Sequence, residues 1–98
     1  MNRKEHLLTI AAEECGEVAQ RLTKMLRFGI FETQPGHDMD NNYRFYQELA
    51  DLQATIRMLE KEGIIIYPGD VLMREWKDQK VENIEHFLEY SKEQGTLK

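Results

Sequence analysis

Leu8, Ala11, Cys15, Val18, Leu22 and Met25 recur at alternating spacings of three and four. That period is the turn of an α-helix, and it predicts one amphipathic helix from about Lys4 to Phe28. No proline interrupts the stretch, and Gly29 supplies a stop. The same period returns twice. Phe45, Leu49, Leu52, Ile56 and Leu59 predict a second helix that begins near Asn42, with Asp40 or Asn41 as N-cap, and stops at Gly63. Met73, Trp76, Lys80, Ile84 and Phe87, flanked by Val81 and Leu88, predict a third, capped by Asp70 and reaching about Glu93 before Gly95. The run Ile64-Ile65-Ile66 is β-branched enough for a strand, but no second run exists to pair with it. It reads instead as a buried apolar connection, and the fold class expected is all-α.

The chain has 98 residues, which fits a single domain over 1–98. Three striped helices make a thin layer, because each stripe needs cover. Four-helix packing supplies that cover, here by oligomerisation with a second copy as a homodimer or homotetramer. A monomeric three-helix bundle is the plainer alternative. The net charge of -5 argues against a nucleic acid polymer as main partner, since such a partner calls for clustered Lys and Arg. No apolar run approaches the roughly 20 residues of a membrane span. The segment Met1 to His6 is polar, with no hydrophobic signal region behind it. The single Cys15 excludes an internal disulfide framework and sits in the apolar seam, as an inert buried thiol would. A cytoplasmic protein is expected.

The acids are placed more tellingly than their number. Glu14 and Glu17 are three apart on the first helix, and Glu48 and Asp51 are three apart on the second. Residues at i and i+3 are neighbours on a helix surface, so each pair forms a two-pronged oxygen claw. Glu14, Glu17, Arg21 and Lys24 continue a line begun by Leu7 and Ile10, and this line borders the apolar seam. Arg44, Glu48, Asp51 and Thr55 form a similar line beside Phe45, Leu49 and Leu52. If the two helices pack antiparallel, both claws face one cavity. Two unit charges about 4 Å apart repel by about 1 kcal/mol in water and about 4 kcal/mol at an effective dielectric of 20. A divalent cation removes that repulsion, and oxygen-only ligands favour Mg²⁺, Mn²⁺ or Ca²⁺ over zinc. One such pair alone is ordinary helix surface; two on successive helices, both beside the seam, are less so.

At these residues the sequence resembles a known family. Glu13-Glu14-Cys15-Gly16-Glu17 followed by Glu48-Leu49-Ala50-Asp51 is similar to the E-E-x-x-E … E-x-x-D signature of the MazG-like, all-α nucleoside triphosphate pyrophosphohydrolases. The small single-domain members, several of them encoded by phages, are the nearest match. The resemblance covers roughly Leu7 to Leu59. The Gly29–Asn41 connection departs from the pattern by being longer than usual, which puts the substrate loop in question but not the claws. The resemblance implies hydrolysis between the α- and β-phosphates of a nucleoside triphosphate substrate, with Mg²⁺ (or Mn²⁺) as cofactor. Carried over, Glu14, Glu17, Glu48 and Asp51 are metal ligands. Glu13 is an extra ligand or orients the attacking water.

Phosphates also call for protein cations. Lys24 and Arg27 on the first helix and Lys77 and Lys80 on the third are the candidates, against the plainer reading of solvated surface charge. Phe28, Phe31, Tyr43 and Tyr46 flank the connection, and Phe28 and Tyr46 are the candidates for stacking on a base. Trp76 reads as core or dimer interface. A non-catalytic nucleotide- or metal-binding regulator of the same fold is the alternative function, and a plain helical interaction module a third.

Overall fold

Local chemistry sets the ends of three helices in the computed structural model, which describes residues 1–98: α1 (Arg3–Phe28), α2 (Asn41–Lys61) and α3 (Asp70–Glu93). No strand forms, so the fold is all-α. Asn2 opens α1 by accepting the Glu5 amide at 2.8 Å. Gly29 closes it at φ 109°, a left-sided conformation that costs an L side chain dearly, while its N–H donates to the Met25 carbonyl at 2.9 Å. Asp40 is the α2 cap and accepts the Tyr43 amide at 2.9 Å. At the other end of α2, Gly63 (φ 71°) donates to the Glu60 carbonyl at 3.0 Å, and Ile64 donates to the Leu59 carbonyl at 2.9 Å. That pair of bonds is a Schellman closure.

Two local expectations fail. Asp70 is not the α3 cap: Gly69 holds that place without a side-chain bond, and Asp70 is the first helical residue. Its carboxylate accepts from the Tyr67 hydroxyl and complements the helix dipole. The isoleucine run is not buried either, since Ile66 is 89% exposed. The amides of Ile64 and Ile65 both turn back to the Leu59 carbonyl, so the helix terminus dictates the path of the chain there.

The chain divides into two compact units, Met1–Ile66 and Tyr67–Lys98. In the first, α1 and α2 pack against each other as an antiparallel hairpin. At one end Arg3 forms a bidentate pair with Glu62, both bonds at 2.8 Å. At the other, the Asn41 amide donates to the Gly29 carbonyl at 2.8 Å. The facing lines are Leu7, Ala11, Glu14, Val18, Arg21 and Met25 on α1, and Asn41, Phe45, Glu48, Leu52, Thr55 and Leu59 on α2. Both repeat at alternating fours and threes, the seam of two helices packed side by side. Only Leu7 and Leu59 are both apolar and buried, whereas Arg21, Asn41 and Thr55 are buried and polar. A seam with more buried polar than apolar groups is not arranged for packing alone.

This seam corrects the sequence reading of α1. Leu8, Cys15 and Leu22 were expected inside, yet Cys15 is exposed and Leu22 is 50% exposed. α1 carries two adjoining apolar lines that share Ala11, Val18 and Met25. In this unit, one partner helix packs on one of them, and it is the line bearing Glu14 and Arg21. Glu14 therefore lies on the packing face and not at its border, while Glu17 stays exposed.

In the second unit, α3 runs unbroken and buries no residue. Trp76, Val81, Ile84, Phe87 and Leu88 are all exposed. No helix in the chain is long and apolar enough to cross a membrane.

Candidate metal centre

The antiparallel hairpin brings Glu14 of α1 opposite the Glu48–Asp51 turn of α2. One carboxylate oxygen from each of the three lies within 4.8 Å of the other two. Glu14 and Glu48 are half-buried and Asp51 is exposed, so the cluster is rooted in the seam and open on one side. The helices hold these positions rigidly. On α2 the Thr55 hydroxyl adds a bond to the Asp51 carbonyl at 3.0 Å, one turn back.

No protein cation balances the three. The chain's one ion pair is Arg3–Glu62, outside the cluster. Glu14 Oε2 is buried and accepts no hydrogen bond. Its carboxyl is pushed above the ordinary glutamate range, first by desolvation and then by the charges of Asp51, Glu48, Glu17 and Glu13. The three oxygens are close enough together that they could hold one metal ion. Three oxygen donors suit a hard dication such as Mg²⁺ or Mn²⁺. The residues present thus fit the metal that the sequence implies.

The other expected residues are distributed differently. Glu17 and Glu13 stand outside the trio on the exposed side of α1, where they border a shallow groove with Gly16 and Gln20. They act on Glu14 through space. Lys24, Arg27 and Phe28 meet in one cavity of about 400 Å³ at the end of the hairpin where the connection joins α1 to α2, together with Glu32, Gln34, Pro35 and Asn41. The Arg27 guanidinium lies 4.8 Å above the Phe28 ring. Tyr46 does not line this cavity; it is exposed and edge-on to Phe45 at 5.1 Å. Lys77 and Lys80 are exposed residues of α3, in the second unit.

Sequence reasoning missed two features. Asn41, by sequence a cap candidate, is buried, and its side-chain amide ties the connection down, donating to Gly29 and, at 3.0 Å, to Glu32 Oε2. Arg21, which spacing places on a line beside the seam, is a buried residue within it. Its spacing of seven from Glu14 was the available signal. No family model, no curated protein and no solved structure matches this chain.

Proposed function

We propose that the protein is a divalent-cation-dependent nucleoside triphosphate pyrophosphohydrolase, converting a (d)NTP to the (d)NMP and pyrophosphate. The observation that carries this reading is the trio Glu14, Glu48 and Asp51, three unpaired carboxylates gathered within 4.8 Å with one buried oxygen left without a donor. The similarity of Glu13 to Glu17 and of Glu48 to Asp51 to the MazG-like signature supports the same reaction. When bound, Mg²⁺ or Mn²⁺ supplies an activated water and neutralises phosphate charge. The trio would hold the cation, Glu17 would add an outer carboxylate, and Glu13 would serve as an extra ligand or orient the attacking water. The basic cavity of Lys24 and Arg27 receives phosphate oxygens, and the Phe28 ring offers a face to the base. Second copies of the chain cover the open apolar lines of α1 and α3 in a homodimer or homotetramer, completing four-helix packing.

The test is product identity across a panel of ribo- and deoxyribonucleoside triphosphates with Mg²⁺. Nucleoside monophosphate and pyrophosphate in equal amounts are expected. Nucleoside diphosphate with inorganic phosphate, or no turnover of any triphosphate, refutes the proposal. Nucleotide binding without product would point instead to a regulator of the same fold.

A further inference from the structure

We propose that Arg21 is an anion-binding residue of the α1–α2 seam, taking a phosphate oxygen of the ligand between the carboxylate trio and the Lys24–Phe28 cavity. The inference deepens the nucleotide reading above and rests on it for the class of ligand. The anion site itself stands on the side chain. Arg21 is 5% exposed, and its Nε and Nη1 are buried with no hydrogen-bond partner. A guanidinium stays charged at every relevant pH and carries five donors. Two of its three nitrogens are thus left unsatisfied inside the seam, which is costly for a charged group. Nor does it take the obvious internal partner. Glu17 lies one turn earlier at i–4, within pairing reach on a helix, yet no ion pair forms between them.

The seam therefore holds two unsatisfied groups of opposite sign, the orphaned Glu14 oxygen and the Arg21 guanidinium. They are two turns apart on one face of α1 and are not paired with each other. A cation–phosphate ligand satisfies both at once: its metal answers the carboxylates and its oxygens answer the guanidinium. The spacing agrees. Arg21 is seven residues from Glu14 and seven from Phe28, an axial rise of about 10 Å to each. Helical side chains lean toward the N-terminus, which on α1 is the side of the trio.

The experiment compares wild type, Arg21→Met and Arg21→Lys as full chains. The readouts are calorimetric binding of Mn²⁺ alone, binding of inorganic pyrophosphate in the presence of Mn²⁺, and KM and kcat on the best nucleotide. The expected result for Arg21→Met is Mn²⁺ affinity within about twofold of wild type, pyrophosphate affinity at least tenfold weaker and KM raised more than kcat falls. Arg21→Lys should recover part of the loss. Wild-type pyrophosphate affinity in Arg21→Met overturns the inference. So does tighter Mn²⁺ binding with pyrophosphate unchanged, which is the behaviour of a residue that only balances the acids. If Arg21→Met does not fold, Arg21→Lys decides: a several-fold loss of pyrophosphate affinity supports the site, and no loss overturns it. Wild type that binds Mn²⁺ and pyrophosphate but turns over no nucleotide would sink the enzymatic reading and leave this one standing.

Discussion

Replacing Glu48 by Gln keeps the shape of the side chain and removes one of the three charges in the trio. With the remaining oxygens gathered within 4.8 Å, the site falls from three carboxylates to two. Two opposite effects follow. Without metal, the variant is relieved of like-charge repulsion and melts at a higher temperature than wild type. With metal, it gains less. A cation at a hundredfold excess over its Kd stabilises the folded protein by about 2.7 kcal/mol. A tenfold loss of affinity cuts that excess to ten and the gain to about 1.4 kcal/mol. The difference, about 1.3 kcal/mol, is a Tm gain smaller by about 5–10 °C for a chain of this size. Thermal melts of both proteins at pH 7, titrated with Mn²⁺ and with Mg²⁺, read these values directly. Equal cation-dependent gains in the two proteins, or no gain in wild type, would refute cation binding by the trio.

Further predictions follow from the seam. The Glu14 carboxyl is held above the ordinary glutamate range, so folding is not penalised at low pH, where it is protonated in both states. The penalty appears as pH rises through the unfolded value, about 4.3, and is complete above the raised folded value. Metal-free stability should therefore fall across that window while Mn²⁺ affinity rises across it; an affinity flat between pH 4 and 7 would be contrary. Leu59, one of two buried apolar residues, should cost about 2–5 kcal/mol as Leu59→Ala, read by urea unfolding. Asn41→Ala removes the two bonds that tie α2 to the Gly29–Glu32 segment and should cost about 1–3 kcal/mol, with faster amide exchange between residues 29 and 40.

Much of this fold is legible from spacing. Three helical periods, the stops at Gly29 and Gly63, the Asp40 cap and the lack of a pairing partner for Ile64–Ile66 all follow from residue type and period. The trio is legible in part: Glu14 meets the i, i+3 pair Glu48 and Asp51 once the helices run antiparallel, whereas Glu17 stays outside. The packing line of α1 is not. Leu8, Cys15 and Leu22 are the more apolar choice, and only the structure shows that the line with Glu14 and Arg21 goes inside. A helix that turns its polar line inward breaks the rule by which sequence is read, and such breaks concentrate where function outweighs stability. Asp70 shows a smaller limit of the same kind. Cap preference places it at the N-cap, but Gly69 adopts φ 102° and moves the boundary by one residue.

The central claim is that the Glu14–Glu48–Asp51 trio holds the cation used to split a nucleoside triphosphate. The most direct measurement is the initial rate of pyrophosphate release against Mg²⁺ concentration, for wild type and Glu48→Ala on the same nucleotide panel. Wild type should show a saturable, Mg²⁺-dependent rate, and the variant at least a hundredfold loss while its helical circular dichroism is retained. Identical rates in the two proteins, or wild-type release that persists after chelation, would contradict it.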